Sequence, residues 1–186
     1  MASLPHTNTV TYEEWLHMPQ LQDATEEAVN GEIRITPPAK LVHALIVEEL
    51  HRAFFSQMDR KLVRVLSSSF GLIIRKRPLT SRVPDIAVFE IATMVEADGC
   101  VHSPPQLVVE VLSPANTRRE RAEKLADYAE LGVPEVWIVS PEARTVELLH
   151  LESGQYTRTQ ILAAGDRLKP RLFPHVEVDI SRIWPD

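Results

Sequence analysis

Two acidic residues stand alone in segments of this chain that are otherwise strand-like and apolar. Glu110 is the one polar residue among residues 107–112, and Asp85 is the one acid among residues 82–89. A run that is apolar on both faces is typical of a central strand buried on both sides. Burying a carboxylate there costs roughly several kcal/mol unless a cation, a metal ion or a proton compensates its charge. We therefore interpret the two acids as a candidate metal site.

The two carboxylates can approach within a few ångströms if their strands are neighbours in register, because side chains alternate along a strand. Asp85 shares its face with Ala87 and Phe89, and Glu110 shares its face with Val108. Mg²⁺ prefers oxygen ligands, commonly one or two carboxylates with waters and a substrate phosphate. A bound Mg²⁺ or Mn²⁺ would polarise a phosphoryl oxygen and lower the pKa of an attacking water.

Hydrolysis of a phosphodiester also needs a positive group near the developing charge, and Lys124 is the candidate. It lies on the helix predicted after the Glu110 strand, four residues before Tyr128 and on the same helical face. That face would have to point back towards the end of the strand. Tyr128 and Trp137 are themselves interpreted as packing residues.

Basic residues form two clusters, although the net charge of −6 argues against a protein that coats nucleic acid through bulk charge. Residues 60–84 contain seven basic residues and no acid, and the second cluster is Arg118, Arg119, Arg121 and Lys124. Ordinary solvated strand and helix faces explain either cluster alone. Together they also fit a phosphate-facing surface, and both interpretations stay open.

Around these residues, the pattern predicts residues 1–10 as a flexible N-terminus and residues 11–186 as a single domain with an α/β (α+β) fold. Helices are predicted from a capping box at Thr11, over residues 40–57, and from Asn116 or Thr117 to Leu131. Strands are predicted at 32–35, 61–66, 70–74, 82–89, 107–112, 135–139, 145–151 and 155–162. Residues 91–105 are expected to be a loop or a short helix, and the tail is expected to wrap the core.

The order of several motifs resembles the PD-(D/E)xK nuclease superfamily, and specifically its Uma2 family of endonucleases. The resemblance covers roughly residues 12–184, and its central pieces are Val83-Pro-Asp-Ile-Ala-Val88, Pro105-Gln-Leu-Val-Val-Glu-Val-Leu-Ser-Pro114, Lys124-Leu-Ala-Asp-Tyr128 and Gly132-Val-Pro-Glu-Val-Trp-Ile-Val139. It implies a restriction-endonuclease-like mixed β-sheet flanked by helices, with Asp85 and Glu110 as metal ligands.

The resemblance also has departures from the superfamily pattern. The superfamily lysine lies two residues after the glutamate, where this chain has Leu112, and Lys124 matches a lysine that has migrated to the next helix. Glu27 matches the acid that the family often has before its first strand. Asn30 and Ser140 stand where the family more often has acids.

The function expected from these residues is metal-dependent cleavage of DNA with Mg²⁺ or Mn²⁺. Asp85 and Glu110 would hold the ion, Lys124 would activate the water or neutralise charge, and Glu27 would complete the metal shell or position a water. Possible substrate contacts are His43, Arg82, Arg118 and Arg119. A homodimer is expected because cutting both strands of a duplex suits two-fold symmetry.

Simpler interpretations of single residues stay open, as do two other functions. Asp85 alone fits a turn, and Glu110 alone fits an ion pair with an arginine. Lys124 alone fits a surface ion pair with Glu120. Glu27 alone fits a solvated acid, and His43 alone fits a histidine that packs in the core or caps a helix. The chain could instead be an inactive nuclease-fold module that binds nucleic acid or protein. A carboxylate-pair sugar hydrolase is disfavoured by the nearby lysine and the basic clusters.

Several other classes are not expected from the sequence. Cys100 is the only cysteine, so neither an intrachain disulfide nor a cysteine-rich zinc site can form. The chain shows no apolar run long enough to span a membrane and no secretory signal, and a cytoplasmic location is expected. Its six glycines form no phosphate-binding loop.

Overall fold

The structure is a computed structural model, and it describes residues 9–19, 21, 24–67, 70–114 and 117–185. Its three α-helices in this described part are α1 (Tyr12–Leu16), α2 (Leu41–Gln57) and α3 (Arg118–Leu131). Its strands are β1 (Thr25–Val29), β2 (Glu32–Thr36), β3 (Val63–Ser67), β4 (Leu72–Lys76), β5 (Leu79–Arg82), β6 (Ile86–Glu90), β7 (Glu96–Ala97), β8 (Cys100–Val101), β9 (Leu107–Val111), β10 (Glu135–Ser140), β11 (Thr145–Glu152), β12 (Gln155–Leu162), β13 (Arg167–Leu168) and β14 (Val178–Asp179).

Strands β1 to β12 form two six-stranded sheets. The sheet that contains Glu110 has the order β12-β11-β10-β9-β6-β3, and the second has the order β2-β1-β5-β4-β8-β7. In the first sheet β9 and β10 are parallel, with Glu110 opposite Ile138, and α3 makes the crossover between them. The other pairs of that sheet are antiparallel. The α/β fold and the mixed sheet flanked by helices are as predicted.

Each face of the Glu110 sheet is covered by one long helix. Side chains of β9 alternate between the faces, so Val109 packs with Phe54 of α2, whereas Val108 packs with Tyr128 of α3. The same alternation puts Glu110 on the α3 face. The tail packs on the α2 layer through Phe173, Val176, Ile180 and Ile183, as expected.

Local sequence explains how α3 begins and ends. Thr117 is its N-cap and forms a capping box with Glu120, while Gly132 ends it in the left-handed conformation at φ 89°. Asn116, the other predicted cap, lies outside the described residues, as do residues 1–8 of the predicted flexible N-terminus. Within that predicted segment, Val10 donates its N–H to the carbonyl of Gly31 over 2.8 Å.

Three details differ from the sequence-based expectation. Residues 82–89 are not one strand, because β5 ends at Arg82, β6 begins at Ile86, and Asp85 lies in a bend after Pro84, which has no N–H for a ladder. Strand β1 was not predicted, because its two adjacent acids, Glu26 and Glu27, interrupt the apolar pattern that indicates a strand. Residues 91–105 contain the short hairpin of β7 and β8.

No helix in the described part of the chain is both long and apolar enough to cross a membrane.

Candidate active site

Asp85 and Glu110 lie at the same end of neighbouring strands. Ile86 pairs with Val109 between β6 and β9, so one further step of the antiparallel register brings Asp85 opposite Glu110. The backbone N–H of Val111 donates to Oδ2 of Asp85 over 2.7 Å. The two acids predicted as a pair are therefore brought together by the fold.

Glu110 is 8% exposed and is held by two donors from α3. Lys124 Nζ lies 2.9 Å from Oε2 and 3.1 Å from Oε1, and the Tyr128 hydroxyl donates to Oε1. Burial raises the pKa of Glu110 and the charge of Asp85 adds to this, which outweighs the lowering by Lys124 and Tyr128. The site thus contains a carboxylate whose ionised form needs compensating positive charge.

Lys124 sits between two carboxylates rather than on the helix surface. Its Nζ lies 3.4 Å from Glu27 Oε1 in addition to its contacts with Glu110, and its side chain is 24% exposed. Burial lowers the pKa of Lys124, but the charges of Glu110 and Glu27 outweigh burial and raise it. Lys124 is therefore a charged donor at neutral pH, and the surface pair with Glu120 does not form because Glu120 caps α3.

Glu27 lies on β1 and is 7% exposed, so it is not a solvated acid before a turn. Its Oε2 accepts from Arg82 Nη1 over 2.9 Å, and its Oε1 accepts from the Val83 N–H over 3.0 Å. Burial raises the pKa of Glu27, but the charges of Lys124 and Arg82 together have the larger effect and lower this pKa below its ordinary value. Glu27 is thus an ionised acceptor that joins β1, the end of β5 and Lys124.

Arg82, predicted as a possible substrate contact, is enclosed by the protein. It is 2% exposed, and it pairs with Glu27 and with Asp127 of α3, whose Oδ2 accepts from Arg82 Nε over 2.7 Å. A guanidinium enclosed by two carboxylates cannot reach a phosphate outside. The sequence shows Arg82 only as one of many basic residues, so its burial and its two carboxylate partners were not predicted.

His43 lies in the first turn of α2 and faces the acid pair. Its Nε2 is 3.1 Å from Asp85 Oδ2, and its buried Nδ1 has no hydrogen-bond partner within the described residues. Burial lowers the pKa of His43, but the hydrogen bond and charge of Asp85 raise it above the ordinary value. His43 can therefore hold Asp85 in place.

Residues of the two basic clusters have different surroundings. Arg75 pairs with Glu130, and Lys76 lies over the ring of Tyr12 at 4.1 Å. Near the start of α3, Arg118 is exposed, and Arg119 pairs with Glu123 at 3.0 Å while its side chain stays 87% exposed. Arg118 and Arg119 are thus placed where a substrate phosphate can reach them, and that role stays a prediction.

The donor set fits a hard divalent cation held by two carboxylates. Asp85 and Glu110 offer oxygen ligands, and Mg²⁺ or Mn²⁺ commonly takes its remaining ligands from water and substrate. No cluster of three or more His, Cys, Asp or Glu side chains suited to a metal occurs among the residues that the structure describes. A four-ligand protein cage of the kind that holds structural zinc is therefore not present there.

A buried network that was not predicted from the sequence lies behind the site. Asp127 and Tyr128 follow Lys124 by three and four residues, so all three share one face of α3. Asp127 binds Arg82, and the Tyr128 hydroxyl, interpreted from sequence as packing only, donates to Glu110. The spacing of three and four residues places both side chains on the same face of the helix as Lys124, and it could have predicted that both take part in the site.

Comparisons with known proteins give the family of this chain and a solved structure of similar fold. The chain belongs to the Uma2 family, whose model carries the description "Putative restriction endonuclease" and matches residues 12–181. It is similar in fold to a solved structure from Anabaena variabilis ATCC 29413, titled a "putative nuclease belonging to DUF820". That similarity has a TM-score of 0.76 and 20% identity and covers 94% of this chain and 97% of the other. No curated protein matches the chain.

Proposed function

We propose that this chain is a metal-dependent endonuclease that hydrolyses phosphodiester bonds in DNA. The observation that carries the proposal is the contact of Lys124 Nζ with Glu110 at 2.9 Å, at the end of the sheet where Asp85 also lies. An acid pair next to a fixed ammonium combines the groups that phosphodiester hydrolysis requires. The family membership and the nuclease fold support the same reaction class.

In this proposal Asp85 and Glu110 hold Mg²⁺ or Mn²⁺, which would supply Lewis-acid stabilisation and a water of lowered pKa. Lys124 donates to the phosphate that is being cleaved or orients the attacking water, since its ammonium stays charged between Glu110 and Glu27. His43 fixes Asp85 through its Nε2. Arg118 and Arg119 are exposed at the start of α3 and would hold flanking phosphates.

Glu27 acts through Lys124 in this proposal rather than as a third metal ligand. Its carboxylate lies between two cations, Arg82 at 2.9 Å and Lys124 at 3.4 Å, so its charge is already compensated without a metal ion. Its position would therefore keep the ammonium of Lys124 charged and oriented. The role proposed for Glu27 is positional, and its loss would weaken catalysis by displacing Lys124.

The test is cleavage of supercoiled plasmid DNA by the purified protein with Mg²⁺ or Mn²⁺. We expect nicked or linear product from wild type, and none from Asp85→Ala, Glu110→Ala or a sample with excess EDTA. Glu90→Ala is the matched control, because Glu90 is an exposed acid at the opposite end of β6. Equal activity in wild type and in both site variants would reject the assignment.

The alternative is a nuclease fold that binds nucleic acid or protein without cutting it. One observation favours it. Lys124 and Tyr128 already donate to the oxygens of Glu110, so this carboxylate has hydrogen-bond donors and a compensating charge without a metal ion. Calorimetry with Mn²⁺ separates the two functions. Binding that Asp85→Ala removes supports the nuclease, and absence of binding supports the module.

The proposal also includes assembly and location. Cleavage of both strands of a duplex would use two copies of the chain related by two-fold symmetry. Sedimentation velocity with and without a duplex oligonucleotide tests this assembly, and a monomer in both samples would show that the proposed dimer does not form.

Parallel assays with single-stranded RNA test the preference for DNA. A cytoplasmic location would suit a DNA substrate and the single free cysteine, Cys100.

A further inference from the structure

Arg82 connects two parts of the candidate site that are distant in sequence. It ends β5, and its guanidinium donates to Glu27 of β1 over 2.9 Å and to Asp127 of α3 over 2.7 Å. These partners lie 55 and 45 residues away in the chain. A planar guanidinium can bind two carboxylates at once in fixed directions, which an ammonium cannot do in the same way.

Through Asp127, Arg82 sets the position of the helix that carries Lys124. Asp127 lies one turn after Lys124 on the same face of α3 and is 7% exposed. Arg75 also approaches Asp127, at 3.7 Å, but its closest partner is Glu130 and it does not contact Glu27. Both arginines therefore hold α3, and only Arg82 also holds Glu27.

Through Glu27, Arg82 controls how Lys124 is shared between two acids. Lys124 Nζ lies 2.9 Å from Glu110 Oε2 and 3.4 Å from Glu27 Oε1. Glu27 and Glu110 therefore compete for one ammonium, and Arg82 satisfies the other oxygen of Glu27. Without Arg82, the buried Glu27 would lose its nearest cation and would draw Lys124 away from Glu110.

We infer that Arg82 is a positioning residue that keeps the ammonium of Lys124 on Glu110 by neutralising Glu27. This inference rests on the proposed function only for its effect on cleavage, since the placement of Lys124 exists with or without activity. The neutralised Glu27 also binds the Val83 N–H, two residues before Asp85, so the same contact supports the segment that carries Asp85.

The experiment measures the Lys124 ammonium directly by ¹H–¹⁵N NMR of the metal-free protein, with Lys124→Arg used to assign its signal. We expect a protected signal in wild type and in the matched control Arg75→Met. In Arg82→Met the signal should shift or vanish. In the double variant Arg82→Met/Glu27→Gln it should return, because the competing carboxylate is gone.

A merely structural Arg82 would not give this pattern, because removing a second buried partner would then worsen the loss. An unchanged Lys124 signal in folded Arg82→Met, or no return in the double variant, would overturn the inference. If methionine prevents folding, Arg82→Gln gives the same test, since its amide can still donate to a carboxylate but carries no charge to neutralise Glu27.

Cleavage assays add a second measurement if wild type is active. A displaced Lys124 should lower kcat about tenfold or more with little change in KM, while Arg75→Met keeps the wild-type kcat. An inactive wild type would count against the proposed nuclease and would leave the NMR result as the test of Arg82. An equal loss of kcat in Arg75→Met and Arg82→Met would overturn the specific role of Arg82.

Discussion

The N–H of Val111 donates to Oδ2 of Asp85, so the residue that follows Glu110 in β9 fixes the other acid of the pair. His43 Nε2 approaches the same oxygen at 3.1 Å. Holding this oxygen in place requires only an acceptor, whereas a carboxylate binds a divalent ion much more tightly than a neutral amide does. The structural and the proposed metal-binding roles of Asp85 can therefore be separated by one substitution.

Asp85→Asn should keep the fold and lose the metal. An amide oxygen can still accept from Val111, so we expect the free energy of unfolding to change by about 1 kcal/mol or less. Mn²⁺ should raise the Tm of wild type by mass action and leave the Tm of the variant unchanged. Glu90→Gln is the control and should behave as wild type. An Asp85→Asn protein with the full Mn²⁺-dependent rise in Tm would contradict the proposed site.

Tyr128→Phe tests whether the hydroxyl of Tyr128 serves Glu110 or only fills space. The ring stays buried, but Glu110 Oε1 loses a donor, so we expect a loss of about 1–2 kcal/mol in unfolding free energy together with reduced DNA cleavage. The matched control is Tyr156→Phe, whose hydroxyl donates to the Val133 carbonyl over 2.7 Å, away from the acid pair. It should lose similar stability and keep its activity. Equal activity in both variants would show that Tyr128 is a packing residue.

Sequence patterns were sufficient for the elements whose signals are local. Periodic apolar residues predicted α2, and the capping residues, Asn116 or Thr117 before the helix and Gly132 after it, predicted the ends of α3 to within a residue. The apolar run around Glu110 predicted a central strand, and β9 is buried along its whole length. In these segments the residues that determine the structure lie within a few positions of one another.

Other features depend on contacts between distant segments, and sequence patterns could not reveal them. The buried state of Glu27 depends on Arg82 and Lys124, so β1 looks like a polar segment when its own residues are considered alone. Arg82 looks like a surface arginine until Asp127 is brought beside it by α3. The separation of β5 from β6 at Pro84 also reflects the fact that the two strands belong to different sheets.

Thr117→Ala should weaken α3 without altering the candidate site. The Thr117 hydroxyl accepts from the Glu120 N–H over 3.1 Å, and the Glu120 carboxylate accepts from the Thr117 N–H over 2.7 Å. Losing this cap should cost about 1 kcal/mol of unfolding free energy, measured by urea denaturation. Since Lys124 lies two turns further along, we expect an unchanged kcat at saturating DNA well below the Tm, while loosening of the turn that carries Arg118 and Arg119 should raise KM. A large loss of kcat in the folded variant would show that the start of α3 does more than hold flanking phosphates.

The ion pair between Arg121 and Glu147 joins α3 to β11 and should make stability depend on pH. The two guanidinium nitrogens lie 3.2 and 2.9 Å from the two carboxylate oxygens. The hydrogen bonds from Arg121, with a smaller contribution from Arg158, lower the pKa of Glu147 below its ordinary value of 4.5. Between this lowered folded pKa and the ordinary value of 4.5, the folded state therefore binds fewer protons than the unfolded state. The resulting stability is fully present above about pH 4.5 and is lost as the pH falls through the lower folded pKa.

Glu147→Gln removes this titrating group and provides the measurement. We expect wild type to exceed the variant by about 1 kcal/mol of unfolding free energy at pH 7, because the pair is bidentate and partly buried. The difference should shrink towards zero in acid, as followed by urea denaturation from pH 7 to pH 3. Glu152→Gln is the control at the exposed end of the same strand, where no ion pair is formed within the described chain. A wild-type advantage that grows in acid would have the wrong sign and would show that Arg121 does not stabilise the charged form of Glu147.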